Sequence, residues 1–122
     1  MSEVYTIEHI KELDSKLIAS IKLDINHKVF DGHFPQQSVL PGVLQLTIIK
    51  AVVSQHLGKN FRINSVKNAK YLSMILPEND SKFNVEIDFK IQDGQSIKVK
   101  SVIKNEQKVF LKYSGEFIAE NE

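Results

Sequence analysis

Apolar residues are spaced in two ways along this chain, and the change of spacing divides it. Over residues 16–25, Leu17, Ala19, Ile21, Leu23 and Ile25 alternate with mostly polar neighbours, the period of a half-buried strand. Ahead of it, residues 4–13 have mixed periodicity and fit a strand or a short helix, followed by a turn at Asp14-Ser15. Residues 41–57 follow helical spacing instead, with Val43, Leu44, Leu46, Ile48, Ile49, Ala51, Val52, Val53 and Leu57. Pro41 suits the first helical turn and Gly58 the position just past the end. These apolar residues cover nearly all sides of a wheel and predict a helix buried almost all round, with Thr47, Lys50 and Ser54 as one narrow polar stripe.

Period two then returns. Residues 61–76 hold at least one strand, closed by a turn at Pro77-Glu78-Asn79-Asp80. Phe83, Val85, Ile87, Phe89 and Ile91 alternate with polar residues, and Asp93-Gly94 marks a hairpin. Ile97, Val99 and Ile103 share one face of the next strand. Asn105-Glu106-Gln107 turns the chain, and Val109, Leu111, Tyr113 and Phe117 face one way in the last strand. One greasy helix among antiparallel strands predicts an α+β fold, a curved sheet wrapped around a central helix. With no repeat and no Pro/Gly/Ser linker, residues 1–122 read as a single domain.

Composition removes several function classes. Lys plus Arg is 16 and Asp plus Glu is 15, a net charge of +1, so a general nucleic-acid binder is not expected. The absence of Cys excludes disulfides, thiolate metal sites and a Cys nucleophile. No apolar run approaches the ~20 residues of a membrane span, and the acidic start lacks a secretory pattern, so a cytoplasmic protein is expected. His9, His27 and His56 have no companions at metal spacing and read as surface residues; no metal is expected.

Chemistry concentrates in residues 26–44. Gly32 and Pro35 make the middle a loop, yet Val29, Phe30, Phe34, Val39 and Leu40 make it apolar enough to pack against something. It carries His33, which can take or give a proton near neutral pH, towards a helix N-terminus whose free N–H groups can polarise a carbonyl oxygen. Gly42 leaves that backbone open to close approach. A base beside a polarised carbonyl suits proton abstraction next to a thioester or ketone. The plainer readings are a satisfied loop histidine and Pro-Gly as ordinary helix punctuation.

The segment GHFPQQSVLPGVLQL resembles the signature of the 3-hydroxyacyl-[acyl-carrier-protein] dehydratases, a hotdog-fold family. NAKYLSMILPEN is similar to that family's strand ending in a Pro turn, and the resemblance runs from about residue 16 onwards. The Gln45-Leu46 pair looks more like the dehydratase-like subgroup of aryl-polyene and flexirubin pigment pathways. The resemblance implies dehydration of 3-hydroxyacyl thioesters to trans-2-enoyl thioesters in fatty-acid or polyene biosynthesis, without a cofactor. It implies His33 as the base, Gly42 with Val43 as donors to the thioester carbonyl, and Phe30, Phe34 and Tyr71 along an acyl tunnel, although such residues are more often core. It also implies an acyl carrier protein as partner, met through Lys67 and Lys70 if these do more than solvate a strand, and a homodimer or larger homo-oligomer.

The sequence departs from the pattern where the family's helix carboxylate falls, which here is Thr47. A hydroxyl cannot act as a carboxylic acid does, and losing a general acid costs on the order of 10²–10⁴ in rate. Three outcomes stay open: a slow or inactive homologue that binds acyl chains, a site in which Thr47 holds a water while His33 makes both proton transfers, or a drift to thioester hydrolysis. Lys50, one turn on, reads as a snorkelling residue at a dimer edge. Asp31 reads as a loop cap or a second acid. Gln36 and Ser38 replace the usual Gly and Pro and alter loop stiffness.

Overall fold

A computed structural model describes residues 4–30 and 39–120. In chain order these form β1 (Tyr5–Leu13), β2 (Lys16–Leu23), a 3-10 turn (Lys28–Phe30), α1 (Gly42–Leu57), β3 (Phe61–Tyr71), β4 (Lys82–Ile91), β5 (Ser96–Lys104) and β6 (Val109–Ala119). The strands make one antiparallel sheet in the order β1-β2-β4-β5-β6-β3. This curved sheet with its single helix is the hotdog architecture, as the alternating pattern implied.

Residues 5–13 are strand, and the mixed spacing over 4–13 has a cause. A bulge between Ile7 and His9 shifts the register against β2, so half-buried Tyr5 and Ile7 are followed by Ile10 rather than by residue 9. Two further bulges, between Ile63 and Ser65 and between Val66 and Asn68, remove any clean alternation from β3. The alternation of β2 stops earlier than residue 25: the strand ends at Leu23, and Ile25 is 48% exposed. There the Asn26 N–H turns back onto the Asp24 carboxylate at 3.0 Å.

The core lies between the helix and one face of the sheet. Leu17, Val85, Ile87, Ile103, Leu111 and Phe117 from the strands meet Ile48, Ile49, Val52 and Val53 from α1. The helix is not buried all round. Its inward stripe is Gln45, Ile48, Ile49, Val52 and Val53, while Leu44, Leu46 and Leu57 are half-buried and Val43 is 68% exposed. A single sheet covers only one side of a helix, so the remaining apolar positions stay uncovered in one chain.

Both ends of α1 follow from local chemistry. Gly58 adopts the left-handed conformation (φ 67°), and the N–H groups of Gly58 and Lys59 both return to the Ser54 carbonyl. The Ser54 hydroxyl accepts from the Phe61 N–H at 3.3 Å, so one residue closes the helix and starts β3. At the other end Pro41 has extended geometry (φ −59°, ψ 144°) and no side chain caps the helix. The Leu40 N–H bonds to the Ile75 carbonyl at 2.9 Å, which ties the approach to α1 to the segment after β3.

Candidate functional site at the head of the helix

Pro41 has no N–H to cap and offers its carbonyl to two donors, the N–H groups of Leu44 (3.1 Å) and Gln45 (3.3 Å). The N–H groups of Gly42 and Val43 precede these and have no acceptor within the helix. Together with the positive end of the helix dipole, they form a patch suited to a partly negative oxygen.

Gly42 and Tyr71 meet here. The Tyr71 hydroxyl donates to the Gly42 carbonyl at 3.0 Å. A Cβ on Gly42 would stand 2.8 Å from the tyrosine ring and hydroxyl. Glycine therefore leaves room here for the tip of a side chain of the same chain, which a Cβ would displace. Burial raises the Tyr71 phenol above its ordinary value of 10.0, so it stays a neutral donor through the physiological range. Thr47 is one turn further along, and its hydroxyl donates to the Val43 carbonyl at 3.0 Å. Its single proton is engaged, leaving only lone pairs for anything that approaches.

Around this head lies a cavity of about 670 Å³ whose lining includes Leu40, Gly42, Gln45, Tyr71 and Met74. Its rim is apolar and open: Tyr71, Leu72 and Met74 are 49%, 54% and 65% exposed, and Val43, next to Gly42 on the helix, is 68% exposed. Gln45 is the least expected member. It is 2% exposed; its amide nitrogen makes a long 3.5 Å bond to the Leu40 carbonyl, and its Oε1 has no partner. The signal for it was present in the sequence. Gln45 stands three, four and seven residues before Ile48, Ile49 and Val52, on the apolar face and not on the polar stripe.

Of the residues singled out from sequence, Gly42, Val43, Thr47 and Tyr71 are thus brought together. Phe30 is 7% exposed and belongs to the core cluster. His33 and Phe34 lie outside the described residues, as do Asp31, Gln36 and Ser38. Lys67 and Lys70 are exposed on β3. The remaining histidines serve local structure. His9 Nε2 is 3.1 Å from the Ser20 hydroxyl, His27 Nδ1 accepts from the Val29 N–H, and His56 is 3.3 Å from a Glu12 carboxylate oxygen. Among the described residues no group of three or more His, Asp or Glu could hold a metal ion, and no helix is long and apolar enough to cross a membrane.

The chain is similar to known proteins. The chain is 27% identical over 90 residues to a 3-hydroxyacyl-[acyl-carrier-protein] dehydratase FabZ from Clostridium acetobutylicum. That alignment takes in 66% of the chain and spans 64% of the relative's length. Among solved structures, the dehydratase heterocomplex ApeI:P from Xenorhabdus doucetiae superposes with a TM-score of 0.70 at 16% identity, covering 93% of this chain and 96% of that one. A hypothetical thioesterase with coenzyme A from Streptococcus pneumoniae superposes at 0.63 with 15% identity, covering 97% and 87%. At such identities these two establish the fold. A family model described as ApeI-like, ApeI dehydratase, matches residues 9–110, a range that contains the helix head, the cavity and the Gln45-Leu46 pair. The chain belongs to this ApeI-like family of hotdog dehydratases.

Proposed function

We propose that the chain dehydrates 3-hydroxyacyl thioesters carried on an acyl carrier protein to trans-2-enoyl thioesters, acting as one hotdog unit within a homodimer. The observation that carries this reading is the family match across residues 9–110, a range that includes the His33–Leu44 motif. The uncapped head of α1 supports it: the Gly42 and Val43 N–H groups suit the thioester carbonyl as C2 loses its proton and charge builds on that oxygen. His33 takes the C2 proton. The electron pair left behind forms the C2–C3 double bond as the C3–O bond breaks, and the departing hydroxide receives a proton to leave as water.

That last proton has no carboxylic acid at position 47 to come from. Here His33, protonated by the first transfer, returns the proton to the leaving oxygen, and the Thr47 oxygen accepts from the water as it forms. Net consumption of protons is zero. Lys67 and Lys70, exposed on β3, suit an acidic carrier. The test is enoyl formation from a 3-hydroxyacyl thioester on carrier protein. Wild type turns over, and His33→Ala loses on the order of 10²–10⁴ in rate; equal rates for the two sink the reading. Thr47→Glu raises the rate by restoring an acid.

A second reading rests on the Thr47 hydroxyl being engaged by the Val43 carbonyl. Without a helix acid, the protein is an acyl-chain binder or a thioesterase. The first would show carrier affinity with no turnover, the second free thiol released from unsubstituted acyl thioesters.

A further inference from the structure

The sheet face turned away from α1 collects positive charge. Strands β2 to β6 carry ten lysines and one arginine against three acids, Glu86, Asp88 and Glu116, although the whole chain has a net charge of only +1. Core side chains fill the face that meets the helix, so the charges project from the other. The register then sets lysine directly opposite lysine in three places: Lys22 with Lys82, Lys90 with Lys98, and Lys70 with Lys112. Like charges so placed destabilise a sheet. All six are exposed, and none has an ion-pair partner among the described residues. A groove of about 540 Å³ on this face is lined by Lys67, Lys90, Lys98 and Lys100, as well as by Asp88 and Glu116.

We propose that this face docks on the surface of an anionic lipid bilayer. Its breadth fits such a partner. β2 and β3 stand four strand spacings apart, about 19 Å, with a lysine pair at each margin and the third between them. A single acidic helix, about 10–12 Å across, would cover one strip of it; a bilayer meets all three pairs at once. The residue type agrees. Lysine is a point charge on a long flexible stem, whereas the arginine fork suits bidentate recognition of one phosphate. Stems of that length let charges on a curved face reach one plane. No aromatic side chain shares a cross-strand row with these six lysines, so nothing in those rows stacks on bases. A second copy of the chain is repelled by the like charge. The attraction is electrostatic, and it leaves the helix side with its cavity facing away from the lipid.

The experiment floats the full chain with vesicles of phosphatidylcholine alone, or of phosphatidylcholine and phosphatidylserine in equal parts, alongside thermal melting and carrier-linked turnover without vesicles. Wild type should float with the anionic vesicles only, and leave them in ~0.5 M salt. Lys82→Glu and Lys90→Glu each turn a repelling pair into an attracting one. Each should weaken binding to anionic vesicles about five- to thirtyfold and melt no lower than wild type, with turnover unchanged. Lys28→Glu makes the same charge change on the 3-10 turn and should weaken binding far less. Wild type that ignores anionic vesicles at low salt overturns the proposal. So does an equal loss in Lys28→Glu, which makes net charge responsible, and so does a DNA duplex that strips the protein from the vesicles at a lower phosphate concentration, which gives the face to nucleic acid. If the face variants keep their vesicle affinity but lose carrier-linked turnover, the face belongs to the carrier and the proposal falls. Vesicle binding is read without turnover, so it stands or fails separately from the dehydratase reading.

Discussion

Gly42 and Tyr71 form the tightest contact at the helix head, and a mutation pair can separate their roles. Gly42→Ala would displace the tip of a half-exposed ring 2.8 Å away and with it the bond to the Gly42 carbonyl, so it is expected to cost about 0.5–1.5 kcal/mol. Tyr71→Phe keeps the ring and removes only the bond to the Gly42 carbonyl, a loss of about 0.5–1.5 kcal/mol. Chemical denaturation of Gly42→Ala, Tyr71→Ala and the double variant checks the contact, since the double variant should cost less than the sum of the two singles. Additive costs would mean that the ring does not press on Gly42. At this scale the sequence was readable at Gly58, whose left-handed conformation ends the helix, whereas Pro41, expected in the first helical turn, stands just before the helix with extended geometry, and the space beside Gly42, expected for a ligand, holds the tip of Tyr71. It was misleading at Val43, because a helical wheel of mostly apolar residues does not show which face meets the sheet. Val43 was expected inside and is exposed, while the glutamine two residues on is buried.

At the scale of elements, turns and cross-strand ties set what can be changed. Asp14 and Ser15 both have positive φ, 52° and 66°, the geometry of a two-residue hairpin turn that favours Asn-Gly. Ser15→Gly should therefore relieve about 1–2 kcal/mol of left-handed strain against about 0.5–1 kcal/mol of added chain entropy, a small net stabilisation of the β1-β2 hairpin read as a higher melting temperature. The β4-β5 turn works differently. Gly94 is not in the left-handed region, and the Asp93 carboxylate holds the turn by accepting from the N–H groups of Gln95 (2.7 Å) and Ser96 (2.9 Å). Those bonds hold the Asp93 carboxyl below its ordinary range.

On the outer sheet face, Glu86 of β4 reaches Lys104 at 2.9 Å and Lys16 at 3.6 Å, linking β5 and β2 through one side chain. The hydrogen bond from Lys104 is the main cause that lowers its pKa below the ordinary 4.5. A depressed carboxylate stabilises the fold fully above its unfolded value and loses that contribution as pH falls through the folded one. Glu86→Gln should thus lower the melting temperature at pH 7, with the difference from wild type shrinking below pH 4.5. A difference independent of pH would mean that the charge is not what matters. The strands were legible where pairing is regular, as in β4 and β5. In β1 and β3 the bulges broke the period of two, which hid one strand's type and the other's extent.

For the whole molecule, the uncovered surface has a direction. β3 lies at the sheet edge with only β6 beside it, so one row of its backbone groups is unpaired. Val66 on β3 is 48% exposed, and Tyr71, Leu72 and Met74 continue the apolar character into the segment that meets the helix head, where Val43 stands out. Free edges next to apolar surface invite pairing with another strand. A second copy fits this surface best, because β3 antiparallel to its own counterpart would satisfy the edge and cover the same residues on both chains by two-fold symmetry. Light scattering should then give twice the mass of the chain. Replacing Val66 by Lys and Met74 by Glu, both outside the core, should return the monomer mass with the circular dichroism of the fold retained. Because the open rim of the helix-head cavity belongs to this surface, the same pair should also lower turnover. A wild-type monomer, or a variant that stays dimeric, would move the interface elsewhere and leave the cavity to be completed within one chain.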